Sequence, residues 1–197
     1  MAARVGAEQI SRPTGRHKSE GHLSLGNGLP AESINRMSMA EQFHFFWSGV
    51  FSQWHPSPFM IDGVWYTCAE QYMMAEKARL FGDAVAESRI MGTTDPSDQK
   101  RYGRQVRGFV KQQWDAVARD VVYRASVEKF RQNPDLLELL LSTEGKTLVE
   151  ASPYDTVWGI GLDRTDLRAR NRSTWQGTNW LGECLMKARA ALQGYMV

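Results

Sequence analysis

At 197 residues with a formal net charge of +2, the chain has length for one domain with a substantial core, and two full domains would be cramped. So small a charge argues against general nucleic-acid binding, which needs a strongly basic face. No apolar run approaches the roughly 20 residues that cross a bilayer, and Met1 to Ile10 lack the apolar stretch of a secretory signal, so a cytoplasmic protein without a membrane partner is expected.

Residues 1–40 are rich in Ser, Gly, Arg and His without helical or strand periodicity, and read as a flexible N-terminal tail preceding a domain over 41–197. Composition changes at Phe43-His44-Phe45-Phe46-Trp47, and aromatics stay dense to Trp65-Tyr66. Within that stretch the Asp62-Gly63 turn signal predicts a hairpin of Phe59–Ile61 with Val64–Tyr66. Thr67 followed by Glu70 has capping-box spacing and opens a helix through Met73, Met74, Lys77, Leu80 and Phe81. Asp83 caps a short helix ending near Met91-Gly92, and Asp95-Pro96 opens a third. Gln112 to about Phe130 carries an apolar stripe at Trp114, Val117, Ala118, Val121, Val122 and Ala125, the mark of a packed helix. Asn133-Pro134 breaks it and starts a short helix through Leu141. Thr147 to Ala151 reads as a strand, Asp163 to Gly177 as a basic surface loop, and Leu181 to Leu192 as a last helix capped by Thr178 or Asn179. The fold class is therefore mainly α: a single multihelical domain with a small β hairpin and strand element.

Each chemical motif also has a plain structural reading. Glu70, at the start of its helix, serves as a capping-box member or as a carboxylate whose protonation is shifted by aromatic surroundings. Asp155, after Ser152-Pro153-Tyr154 and before Trp158-Gly159-Ile160-Gly161, stabilises a turn or stands where the backbone approaches a flat ligand. Gly159-x-Gly161 lacks the third glycine of a dinucleotide fingerprint. Lys100, Arg104, Arg107 and Lys111 fall on one face if their helix runs that far, as a solvated face or a phosphate-binding wall. Arg164, Arg168, Arg170 and Arg172 are candidates to extend that wall, and Trp175 and Trp180 to line a ligand. Cys68 and Cys184 are too far apart in sequence to suggest a disulfide framework or metal knuckle. His44 and His55 have no further ligand at metal spacing, so no metal or cofactor is expected. Asn171-Arg172-Ser173 matches a glycosylation pattern that the absent export signal makes incidental.

An ordered set of segments then resembles the NADAR family, also called YbiA-like proteins. The set begins with Phe59-x-x-Asp62-Gly63, Glu70-Gln71-Tyr72-Met73, Lys77-Ala78, Asp95-Pro96, Lys100, Trp114 and Lys129-Phe130. It continues with Leu140-Leu141-x-Thr143, Leu148-Val149-Glu150, Asp155-x-x-Trp158-Gly159 and Gly177-x-Asn179-x-Leu181-Gly182. It covers roughly residues 43–192. The resemblance implies a mainly helical fold and an enzyme cleaving N-glycosidic bonds, with no metal required. Two substrate classes follow from it: ribosylamino-pyrimidine phosphates of early riboflavin synthesis, and ADP-ribose, including that attached to guanine in nucleic acid. It also implies Glu70 and Asp155 as catalytic residues, with Trp158, Gly159, Trp114 and Asn179 near the substrate; Lys100 and Arg104 are set to hold a phosphate. A non-catalytic ADP-ribose-binding module is the alternative. Gln71 replaces a histidine of the YbiA-type members, and the Asp163–Thr178 connection is longer, departures that bear on substrate identity. The enzymatic reading makes one demand: Glu70 and Asp155 must converge on one aromatic pocket, roughly 5–10 Å apart to leave room for sugar and water.

Overall fold

Phe43 pairs in parallel with Thr147, and the register runs on through His44 with Leu148 and Phe45 with Val149 to Phe46 with Glu150. A parallel pair needs a long crossover, and here that crossover contains the hairpin and five helices. The structure, a computed structural model, describes residues 41–195; the tail reading for residues 1–40 lies outside that range. Strand β1 (Phe43–Phe46) is followed by the hairpin β2 (Phe59–Ile61) and β3 (Val64–Tyr66). Its Asp62 and Gly63 both adopt positive φ, 50° and 79°, the pair of left-handed residues that a tight hairpin requires.

Helices α1 (Ala69–Leu80), α2 (Ala84–Met91), α3 (Pro96–Arg104), α4 (Lys111–Arg131) and α5 (Pro134–Leu141) lead to β4 (Thr147–Glu150), and α6 (Trp180–Leu192) closes the order. This mainly helical architecture with small sheets matches the expectation. The caps explain the boundaries: Asp83 accepts from Ala86 N at 3.1 Å and Asp95 from Ser97 N at 2.8 Å, each satisfying an orphan donor of the helix it opens. Along α4, Trp114, Ala118, Val122, Ala125 and Phe130 are buried, and the helix packs on α1 and α6. A second apolar cluster of Val149, Ala151, Ile160, Leu162 and Ala169 supports the chain after β4.

The structure differs from the sequence reading at four places. Phe43–Phe46 is a strand, because its partner β4 satisfies its backbone from across the chain. Helix α3 stops at Arg104, so Arg107 and Lys111 leave the expected four-cation face: Arg107 binds Asp83, at 2.9 Å from Nη2, and Lys111 pairs with Asp115 one turn into α4. The loop over 163–177 contains two 3-10 turns, Leu167–Arg170 and Arg172–Thr174, started by the side chains of Asp166 and Asn171. Helix α6 begins after Asn179, which takes a left-handed φ of 55° and makes no side-chain cap.

Candidate active site

The start of α1 sets the site. Gln71 Oε1 accepts from Thr67 N at 2.7 Å and from the Thr67 hydroxyl at 3.1 Å, while Gln71 Nε2 donates to the carbonyls of Ile90 and Thr93. Gln71 therefore does the reciprocal capping that the sequence assigns to Glu70, and the expected capping box does not form. Glu70, only 3% exposed, is left with its Oε1 unpartnered. Desolvation pushes its carboxyl up to about 7, with Lys100, the Trp54 side chain and Arg104 opposing that shift and Asp155 adding to it.

Three other segments supply these neighbours. The Gly49–Ser57 loop brings Trp54: its Gln53 carbonyl accepts from Glu70 N at 3.0 Å, and its Ser52 carbonyl from the buried Lys129 Nζ at 2.9 Å. Helix α3 is locked to α1 by the buried Gln99, whose Nε2 donates to Thr67 Oγ1 at 3.2 Å and to Thr93 O at 2.9 Å. The next residue, Lys100, lies with its ammonium 5.5 Å from the Trp54 ring centre. Arg104 follows one helical turn on. At the α1–α4 edge, Lys77 Nζ sits 4.2 Å from the Phe109 ring centre and 6.0 Å from that of Trp114. Burial lowers the pKa of Lys77, against the favourable field of Glu70.

Strand β4 and its exit contribute the remaining acids. Glu150 ends β4, and desolvation together with Asp155 and Glu70 holds its carboxyl up at about 8, with Lys100 opposing. Its Oε2 is buried without a partner. Among the described residues, Glu70 Oε1 and Glu150 Oε2 are the two buried side-chain oxygens or nitrogens in that condition. An unmet buried polar atom costs on the order of 1–3 kcal/mol, so two in one cluster mark a place built for something other than stability.

Asp155 stands at the loop after β4. Its Oδ1 accepts from Val157 N at 2.9 Å and from Trp158 N at 2.7 Å, so it stabilises a turn while its charge acts on both glutamates. Gly159 explains the tightness of this loop: a Cβ there would lie 2.8 Å from Glu150 O and 3.0 Å from Asp155 O. The close approach is between backbone segments. Asn179 works behind them, its Oδ1 accepting from Glu150 N and its Nδ2 donating to Leu148 O, both at 2.9 Å.

The structure thus brings Glu70, Asp155, Lys100 and Arg104 into one electrostatic cluster. Trp114 borders it through Lys77, and Asn179 and Gly159 shape the chain that carries Glu150 and Asp155. Trp158 follows that chain, its ring edge-on to Trp180 at 5.8 Å. The expected ligand wall of Trp175 and Trp180 is not assembled: Trp175 donates to Ala169 O at 2.7 Å and packs on Phe43, and Trp180 lies under Arg119. In the basic loop, Arg168 pairs with Asp166 and Arg172 with Glu41. Sequence reasoning passed over Trp54 and the role of Glu150. A glutamate closing an otherwise apolar strand five residues before Asp155 was the available signal. Three rings on segments that flank these residues are exposed: Trp54, and Trp47 with Tyr154, whose centres are 5.9 Å apart.

The NADAR domain model matches residues 45–193. Protein irg-1 of Caenorhabditis elegans is 45% identical over 130 residues, 64% of this chain and 61% of the worm protein. N-glycosidase R617 of Acanthamoeba polyphaga mimivirus is 45% identical over 145 residues, covering 71% of this chain and 85% of the viral one. The NMR structure of the E. coli protein YbiA superposes with a TM-score of 0.64 at 30% identity, over 78% of this chain and 86% of that one.

Proposed function

The chain belongs to the NADAR family and is a hydrolase of N-glycosyl bonds, and we propose that its substrate is a 5-phosphorylated ribose joined to a flat amino-base, cleaved by Glu70 and Asp155. The observation that carries this reading is Glu70 itself: a buried carboxyl with Oε1 unpartnered, pushed up to about 7 by desolvation within the field of Lys100, Arg104 and Asp155.

Breaking a ribose–nitrogen bond leaves positive charge on the anomeric carbon and ring oxygen and negative charge on the departing base. Glu70 gives its proton to the leaving nitrogen, a task for an acid with a pKa near the working pH. Asp155, fixed by two backbone N–H donors, faces the cationic sugar and orients the water that attacks it. Lys100 and Arg104 hold the phosphate. The exposed rings of Trp47, Trp54 and Tyr154 offer flat faces to the base.

Ribosylamino-pyrimidine phosphate and ADP-ribosylated guanosine share this chemistry. Incubating each with the protein and identifying the released base by mass spectrometry distinguishes them. Glu70→Gln and Asp155→Asn are expected to fold and to lose at least 100-fold in rate. Full activity in either folded variant overturns these roles, and tight ADP-ribose binding without base release shows a binding module instead.

A further inference from the structure

We infer that Glu150 is a substrate-contacting carboxyl that recognises the 2-hydroxyl of the ribose, making the site selective for ribosyl over 2-deoxyribosyl substrates. The inference deepens the proposed N-ribosidase reading and rests on it for the identity of the ligand.

The starting point is the pairing of two anomalies. Glu70 is almost wholly buried with Oε1 unpartnered, and Glu150 Oε2 is buried in the same condition. The charge of Glu70 raises the pKa of Glu150, and Asp155 and Lys100 act on both carboxyls, so the four groups form one electrostatic cluster. The backbone of Glu150 is held on both sides of its side chain: Asn179 Oδ1 takes its N–H, and its carbonyl accepts from Ile160 N at 2.9 Å. Register with Phe46 fixes it further. The backbone that carries this partly buried side chain is thus fixed, and no donor among the described residues meets its Oε2.

The chemistry of a matching group follows. Burial keeps the Glu150 proton on at neutral pH, so the carboxyl presents one donor and one acceptor. A second ammonium or guanidinium would oppose that state, whereas a hydroxyl matches it, being neutral and able to give and take one hydrogen bond. The cationic sugar carbon must lie between the acid that protonates the leaving nitrogen, Glu70, and Asp155. The hydroxyl next to that carbon is the 2-hydroxyl, and hydrogen bonds to it strengthen as the oxocarbenium character grows.

The test is sugar binding by calorimetry, independent of turnover, with ribose 5-phosphate and 2-deoxyribose 5-phosphate on the wild type, Glu150→Gln and Glu150→Ala. The wild type is expected to prefer ribose 5-phosphate by about tenfold. The alanine variant loses that preference while still binding phosphate, and the glutamine variant, which keeps a donor and an acceptor, retains part of it. Equal affinity for the two sugars, absence of binding, or a preference that survives in Glu150→Ala overturns the assignment. Base release from the ribosylamino-pyrimidine phosphate, measured alongside, reports separately on the hydrolase reading. Binding without selectivity but with hydrolysis removes only the role of Glu150, and selectivity without hydrolysis removes only the proposed substrate.

Discussion

Gln71 and Thr67 close the first turn of α1 between themselves, with Gln71 Oε1 2.7 Å from Thr67 N and 3.1 Å from its hydroxyl. This frees Glu70, one residue earlier on the helix, from any capping duty. Gln71 also holds the Ile90 and Thr93 carbonyls through Nε2, which ties α2 and the α3 entrance to α1. Gln71→Ala is therefore expected to lose roughly 2–4 kcal/mol of stability, as several buried groups lose partners together. Thermal or urea unfolding measures the loss. A change under 1 kcal/mol would show that water replaces the glutamine.

The pH dependence has a definite sign. Glu70 rises from 4.5 to about 7 on folding. Between those values the native state keeps a proton that the unfolded chain has released, so stability falls as pH rises through that window. At about 1.4 kcal/mol per pH unit the decline amounts to roughly 3 kcal/mol from this group, and Glu150 extends it toward about 8. Glu70→Gln removes the Glu70 part, so its melting temperature should exceed that of the wild type at pH 8 and approach it at pH 4.5. Catalysis moves in the same sense: the wild-type rate falls as pH rises past about 7. A rate still rising at pH 8 would exclude Glu70 as the proton donor.

Lys100 opposes the raised pKa of both glutamates. Removing its charge in Lys100→Gln is expected to move the alkaline limb of the rate profile to higher pH. If Lys100 also holds phosphate, KM for a phosphorylated substrate rises about tenfold or more, with a smaller effect on the dephosphorylated substrate. A pH profile unchanged from the wild type would remove Lys100 from the site.

Asn179 supports β4 with both ends of its amide. Asn179→Asp preserves the shape and tolerates the left-handed backbone, yet it faces the Leu148 carbonyl with an oxygen in place of a donor. A loss of about 2–3 kcal/mol in stability is expected from the unmet buried groups. The rate per folded molecule should fall too, because Glu150 and the Asp155 turn both hang from that strand. Denaturant unfolding combined with kcat on the folded fraction separates the two effects.

Several helix starts were legible because local chemistry decides them. Asp83 and Asp95 cap donors three and two positions on, Pro134 sits in the first turn of α5, and Asp62-Gly63 makes its turn by itself. Strand β1 was not legible, since its partner lies beyond five helices. The cation face failed for a related reason: whether Lys100 to Lys111 share a helix depends on where α3 ends, and Arg107 is drawn off to the Asp83 carboxylate. The tryptophans show the same limit, because residue type does not say whether Trp175 packs on Phe43 or meets a ligand.

The sequence by itself determined the family, the helical class, the Asp83 and Asp95 caps, the Asp62-Gly63 turn, and the importance of the segments around Glu70 and Asp155, because these rest on residue order and short-range hydrogen bonding. Only the tertiary structure decided that Gln71 takes the cap and Glu70 faces inward, that Glu150 makes a third acid, and that Trp54 and Lys100 join them. Desolvation and the sum of neighbouring charges fix the protonation of a carboxyl, and both are set by groups that come together only when the chain is folded.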